Sequence, residues 1–107
     1  MWVAHLEANG FTVETELVSG DVINAKRARH NIGPPLAGCH LADIDGYLIE
    51  GHVPAAEIAK MVDEKLDAAG LSVPGMPPGA PGMAGSGPFR VLAFDQDGHI
   101  TQVVARY

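Results

Sequence analysis

Apolar and polar positions alternate with two different periods along the chain, and the switches between them mark the predicted elements. Val3 and Leu6 fall on one face with Trp2 under a helical period, and Asn9-Gly10 is a stop signal, so the first ten residues read as a short helix. Phe11 to Val18 then alternates, with Phe11, Val13 and Leu17 on one side and Thr12, Glu14 and Glu16 on the other. That pattern predicts a half-buried strand at a sheet edge. Ser19-Gly20-Asp21 is a turn and N-cap signal before a helix over Val22–Ile32, which carries Lys26, Arg27 and Arg29 and ends at Gly33-Pro34-Pro35. Cys39–Ile44 and Tyr47–Glu50 read as strands joined by the two-residue turn Asp45-Gly46. Pro54 suits a first helical position, and Ile58, Met61, Val62 and Leu66 keep helical spacing up to a stop at Gly70. Residues 71–88 form a Gly/Pro loop, and Phe89–Asp95 and His99–Tyr107 make a closing hairpin across Gln96-Asp97-Gly98. The whole predicts one α/β sandwich spanning residues 1–107.

Composition narrows the function classes. The chain has 107 residues, one of them cysteine, so a single copy holds neither an internal disulfide nor an all-cysteine metal site. Its formal net charge of −6 argues against nucleic acid as a partner. No apolar run approaches the ~18 residues of a membrane span, and there is no basic-then-apolar secretion signal.

Three stretches carry candidate chemistry. Cys39-His40 pairs a thiol with an imidazole, and both are good ligands for Cu(I) or Zn(II). Neighbours on a strand point to opposite faces, so both reach one ion only where the backbone is irregular. Read from the residues alone, Cys39 is first a small buried hydrophobe beside a surface histidine. Pro74-Gly75-Met76 recurs as Pro81-Gly82-Met83, seven residues later. Two thioethers in a loop without a period are either soft ligands or lids folded over apolar surface. His52, just before Pro54, reads either as a ligand or a phosphate or thiolate neighbour, or, as the favoured expectation, as a residue that helps cap the helix; His5, His30 and His99 are expected to be exposed. Asp95-x-Asp97-Gly98 opens like a calcium loop but lacks the later ligands, so it is expected to be a turn. No nucleophile elbow, phosphate loop or carboxylate pair is present in the sequence, so the chain is not expected to be an enzyme.

Taken together, Trp2-Val3 with His5-Leu6 and Asn9-Gly10-Phe11, Cys39-His40, Asp45-Gly46-Tyr47, Ile49-Glu50-Gly51-His52-Val53-Pro54-Ala55, and Val73-Pro74-Gly75-Met76 with Pro81-Gly82-Met83 resemble the CopG-type copper-resistance proteins of bacteria. The resemblance implies a thioredoxin-like, glutaredoxin-like sandwich in a periplasmic protein that binds copper as Cu(I). It implies that a first central strand and a Cys-x-Cys-Cys motif precede the helix of Trp2, so this chain is expected to be an N-terminally truncated member. Carried over, Cys39 is one cysteine of the family's copper cluster, and Met76 and Met83 lie on its methionine loop as outer contacts to copper; His40, a ligand by residue type, completes the expected metal set. A sheet lacking its central strand is expected to be re-paired by the C-terminal hairpin or to pair two copies as a homodimer. The alternatives are a glutaredoxin-like thiol-redox or glutathione-binding module, suggested by Ala42–Leu66, and an inert truncated domain that dimerises.

Overall fold

The computed structural model describes residues 1–107 except Met1, Glu16, Leu17, Pro34, Pro35, Cys39, Met76 and Ala84. The expectations that fall on Cys39, Met76 and the Pro34-Pro35 stop therefore lie outside the described residues. Among the described residues three helices and five strands follow one another as α1 (Trp2–Ala8), α2 (Gly20–Arg29), β1 (Leu41–Ile44), β2 (Tyr47–Glu50), α3 (Ala55–Asp63), β3 (Gly70–Ser72), β4 (Arg90–Phe94) and β5 (Ile100–Arg106). The strands form one mixed sheet in the order β1-β2-β3-β4-β5. Only β2 and β3 run parallel, and α3 makes the crossover between them. The β1–β2 hairpin closes on Ile44↔Tyr47, with Asp45 and Gly46 both at positive φ, as a two-residue turn requires.

Burial divides by strand alternation into two cores. On one face Ile49, Leu71, Val91 and Ala93 pack with Trp2 and Leu6 of α1 and with Ala55, Ile58 and Met61 of α3. On the other, Leu48, Leu92 and Phe94 pack with Ile32, Leu36 and Ala69. Helix α2 buries none of its residues. Ser19 caps its start by accepting from the Val22 N–H, and Lys26, Arg27 and Arg29 crowd its last turn, where cations oppose the helix dipole.

What α2 gives the sheet is a charge. Glu50, at the end of β2, is fully buried, and its Oε1 lies 2.6 Å from Arg27 Nη2. Arg27 Nε also donates to Oε1, at 3.2 Å. The same Oε1 accepts from the Gly38 N–H at 2.8 Å, while Arg27 Nη2 donates to the Gly38 carbonyl at 3.0 Å. One ion pair therefore ties α2, the end of β2 and the backbone two residues before His40. Gly38 also has to be glycine: a Cβ there would stand 2.6 Å from the Gly51 Cα.

Three elements differ from the sequence reading. Phe11 to Thr15 forms no strand, although Phe11 and Val13 do pack on the core as the alternation predicts. Among the described residues no strand pairs with the outer edge of β1, so a strand at 11–18 has no sheet partner there. The C-terminal hairpin does not fill that edge; β4 and β5 extend the sheet on the opposite side. Conversely, β3 lies at the start of the stretch read as loop. Its three residues are all buried between β2 and β4, and its partners specify it rather than its own short pattern. The α3 helix also ends before Leu66, at Asp63, with Glu64 as its C-cap and Lys65 at positive φ.

Removing the arginine would leave a fully buried carboxylate without its counter-charge. Arg27→Ala is expected to destabilise the protein by about 3 kcal/mol in chemical denaturation. A loss below about 0.5 kcal/mol would show that the pair does not hold the fold.

Candidate functional site

The clamped Gly38 backbone leads into His40, and the end of β2 leads into His52. Strand alternation places residue 40 on the same side as Ala42 and Ile44, the face covered by α1. There the His40 ring lies 4.7 Å from the Trp2 ring and 4.7 Å from the His52 ring, centroid to centroid. Trp2 and His52 are 6.2 Å apart, so the three rings form one aromatic cluster. Trp2 is held by its indole N–H, which donates to the Val53 carbonyl at 2.7 Å, and the Gly51 N–H donates to the His40 carbonyl at 2.9 Å.

Gly51 makes this crossing sterically possible. Its φ is +79°, and a Cβ there would come within 2.4 Å of the Val73 carbonyl oxygen. The Gly/Pro loop begins at the same place: Gly75 donates to the Ala37 carbonyl at 2.9 Å and forms a parallel bridge with Gly38. Farther along, the Pro81 carbonyl is 2.7 Å from His52 Nδ1. The loop is thus fastened at Gly75 to the backbone ahead of His40 and at Pro81 to the His52 ring.

The histidines divide their work differently from the expected way. His52 does not cap α3. The Ala55 N–H at that helix start donates to His5 Nε2 at 3.0 Å, so His5 is a half-buried cap and not an exposed residue. The sequence signal for this was present in part: His5 lies three positions from Trp2 on a short amphipathic helix, though nothing local shows that it reaches residue 55. The His40 imidazole is held below the ordinary value of 6.5, first by burial and then by the nearby His52 ring. Both causes disfavour the protonated form of His40 relative to an exposed imidazole.

Of the residues expected to bind metal, His40 lies in this cluster and gains His52 as a neighbour. Met83 is half-buried and packs on the core of α1 and α3, and its backbone N–H donates to the Ala80 carbonyl at 3.1 Å. It sits two residues beyond the carbonyl that holds His52. Among the described residues, a grouping of three histidine, cysteine or acidic side chains close enough for a metal occurs at Asp95, Asp97 and His99. That grouping is the expected hairpin turn. Asp95 Oδ1 accepts from the backbone N–H groups of Asp97 and His99, and these bonds hold its carboxyl below the usual range.

Two solved structures share this architecture. They are titled "Copper resistance protein copG", Form 1 and Form 2, and each is 41% identical to this chain with a TM-score of 0.84. The match covers 99% of this chain and 84% and 85% of theirs. A family described as a protein of unknown function, DUF411, matches residues 36–83. That span runs from Leu36, ahead of the clamped Gly38, to Met83, and includes Glu50, Gly51 and His52. No curated protein matches the chain.

The lowered His40 basicity has a consequence for folding. The unfolded chain binds the proton below about 6.5, whereas the folded chain resists it until a lower pH. The metal-free protein is therefore expected to lose stability as pH falls just below 6.5, above the carboxylate range. His40→Gln should flatten that part of the curve. A denaturation midpoint in the natural chain that stays level across that window would contradict the assignment.

Proposed function

This chain belongs to the family of the copper resistance protein CopG, and from that premise we propose that it binds copper as Cu(I) and serves copper resistance or homeostasis rather than catalysis. The observation that carries the proposal is the His40–His52 pair, two rings 4.7 Å apart at a backbone crossing. That crossing is fixed by Gly38 and Gly51, one on each side of it. Cys39 is the residue between the clamped Gly38 and His40. Met83, on the loop tied to His52, brings a thioether to the same end of the sheet.

The donor chemistry fits the ion. Thiolate, thioether and neutral imidazole are soft to intermediate ligands, and such sets favour Cu(I) over hard cations. Burial that keeps His40 neutral serves this end, because a protonated imidazole cannot donate. In this reading Cys39, His40 and Met83 are metal contacts, with Met76 of the twin Pro-Gly-Met as a further one. A periplasmic setting belongs to the same reading.

The finer fold reading is thioredoxin-like, with one more strand against β1. A groove of about 500 Å³ runs along that edge. It is lined by Trp2, Leu6, Phe11 and Val13 from one side and by Val22 and Ile23 of α2 from the other. Because the hairpin closes on Ile44↔Tyr47, the alternate residues Leu41 and Asp43 turn their backbone groups to this open edge. Val18 and Val22, two of the exposed large apolar residues, also border it. An edge of this kind recruits a strand, and we assign that strand to a second copy of the chain.

Anaerobic titration with Cu(I) against a competing chelator tests the function. The natural chain is expected to retain Cu(I), and Cys39→Ser and His40→Ala are each expected to weaken retention at least tenfold. A natural chain that yields all its copper to the competitor would sink the proposal. Sizing chromatography of the same sample is expected to return a dimer; a monomer would contradict the pairing through β1.

A further inference from the structure

His52 was expected to cap a helix, and in the fold it is released from that duty by His5. Its ring is nonetheless fixed more tightly than a half-buried side chain needs to be. The peptide bond before it is set by Gly51, whose φ of +79° and close approach to Val73 admit no side chain. Nδ1 lies 2.7 Å from the Pro81 carbonyl oxygen. A carbonyl can only accept, so Nδ1 carries the hydrogen. In the neutral ring the lone pair is then on Nε2. The tautomer and the ring plane are both chosen by one backbone atom, 29 residues away in the sequence.

We propose that His52 Nε2 is a metal-donor nitrogen of the same site as His40, with the Pro81 carbonyl as its outer partner; this rests on the Cu(I) reading above. Imidazoles that bind metals characteristically give their other N–H to a carbonyl or carboxylate, which fixes the ring and raises the basicity of the donor nitrogen. The His52–Pro81 bond has that form. The ring stands beside His40, so the two donors come from two chain segments that the Gly38–Gly51 contact presses together. Pro81 lies two residues before Met83, so a metal held by His52 draws on a loop whose position His52 itself sets. The site would then take a soft, singly charged ion through uncharged nitrogen and sulfur donors, with a single thiolate from each copy of the chain.

The test uses the natural chain labelled with nitrogen-15, followed by long-range proton–nitrogen NMR during anaerobic Cu(I) addition. Before metal, His52 is expected as the tautomer with the proton on Nδ1. On Cu(I) addition its Nε2 resonance is expected to shift while the Nδ1 proton stays in place. His52→Ala is expected to weaken Cu(I) retention at least tenfold, whereas His30→Ala at the end of α2 leaves it unchanged. If Cu(I) binds and His52 Nε2 does not move, the inference is overturned while the copper function stands. A metal-free His52 with its proton on Nε2 would overturn it as well. If the natural chain binds no Cu(I), the functional reading falls and this inference falls with it.

Discussion

The carboxylate of Glu50 is the point on which the other features depend. It is fully buried at the end of a strand, and burying a charge there is tolerable only because Arg27 and the Gly38 N–H meet it together. The consequence is geometric. Helix α2 buries no apolar residue, so its hold on the sheet is ionic, from Arg27 to Glu50 of β2 and from Lys26 to Asp43 of β1. The segment leading to Cys39-His40 is neither helix nor strand, yet its backbone is bonded to both members of the pair. An ion pair worth little on a surface here fixes the approach to the site.

From that anchor the site assembles by contact. Gly38 and Gly51 touch backbone to backbone, which brings His40 beside His52. Trp2 closes the cluster through its bond to Val53, and the Gly/Pro loop is fastened at Gly75 and Pro81. Two imidazoles so close repel each other when protonated, and burial discourages the charge further. The arrangement therefore disfavours the charged form of His40.

Much of this fold could be read from the sequence where the signals are local. The Asp45-Gly46 hairpin, the Ser19 cap, the start of α3 near Pro54 and the last two strands are all set by residues within a few positions of one another. Features set by distant partners were not readable. Arg27 and Glu50 are 23 positions apart, and nothing in a basic stretch shows which cation will be buried. Strand β3 is three residues long and exists because β2 and β4 flank it. Phe11–Val18 has a strand's alternation, and its described residues form no strand because alternation specifies a face and not a neighbour. At the site, Cys39-His40 and the methionine loop could be picked out by residue type. The exchange of roles between His5 and His52 could not, because it depends on contacts 50 and 29 positions away.

The central claim is that a Cu(I) ion sits among soft neutral donors at the Gly38–Gly51 crossing. X-ray absorption at the copper edge of the loaded chain addresses it most directly. The account predicts a Cu(I) edge with both sulfur and imidazole nitrogen in the coordination shell, and loss of part of the imidazole signal in His40→Ala. A shell of oxygen and nitrogen alone, unchanged by that substitution, would place the copper elsewhere on the protein and contradict the account.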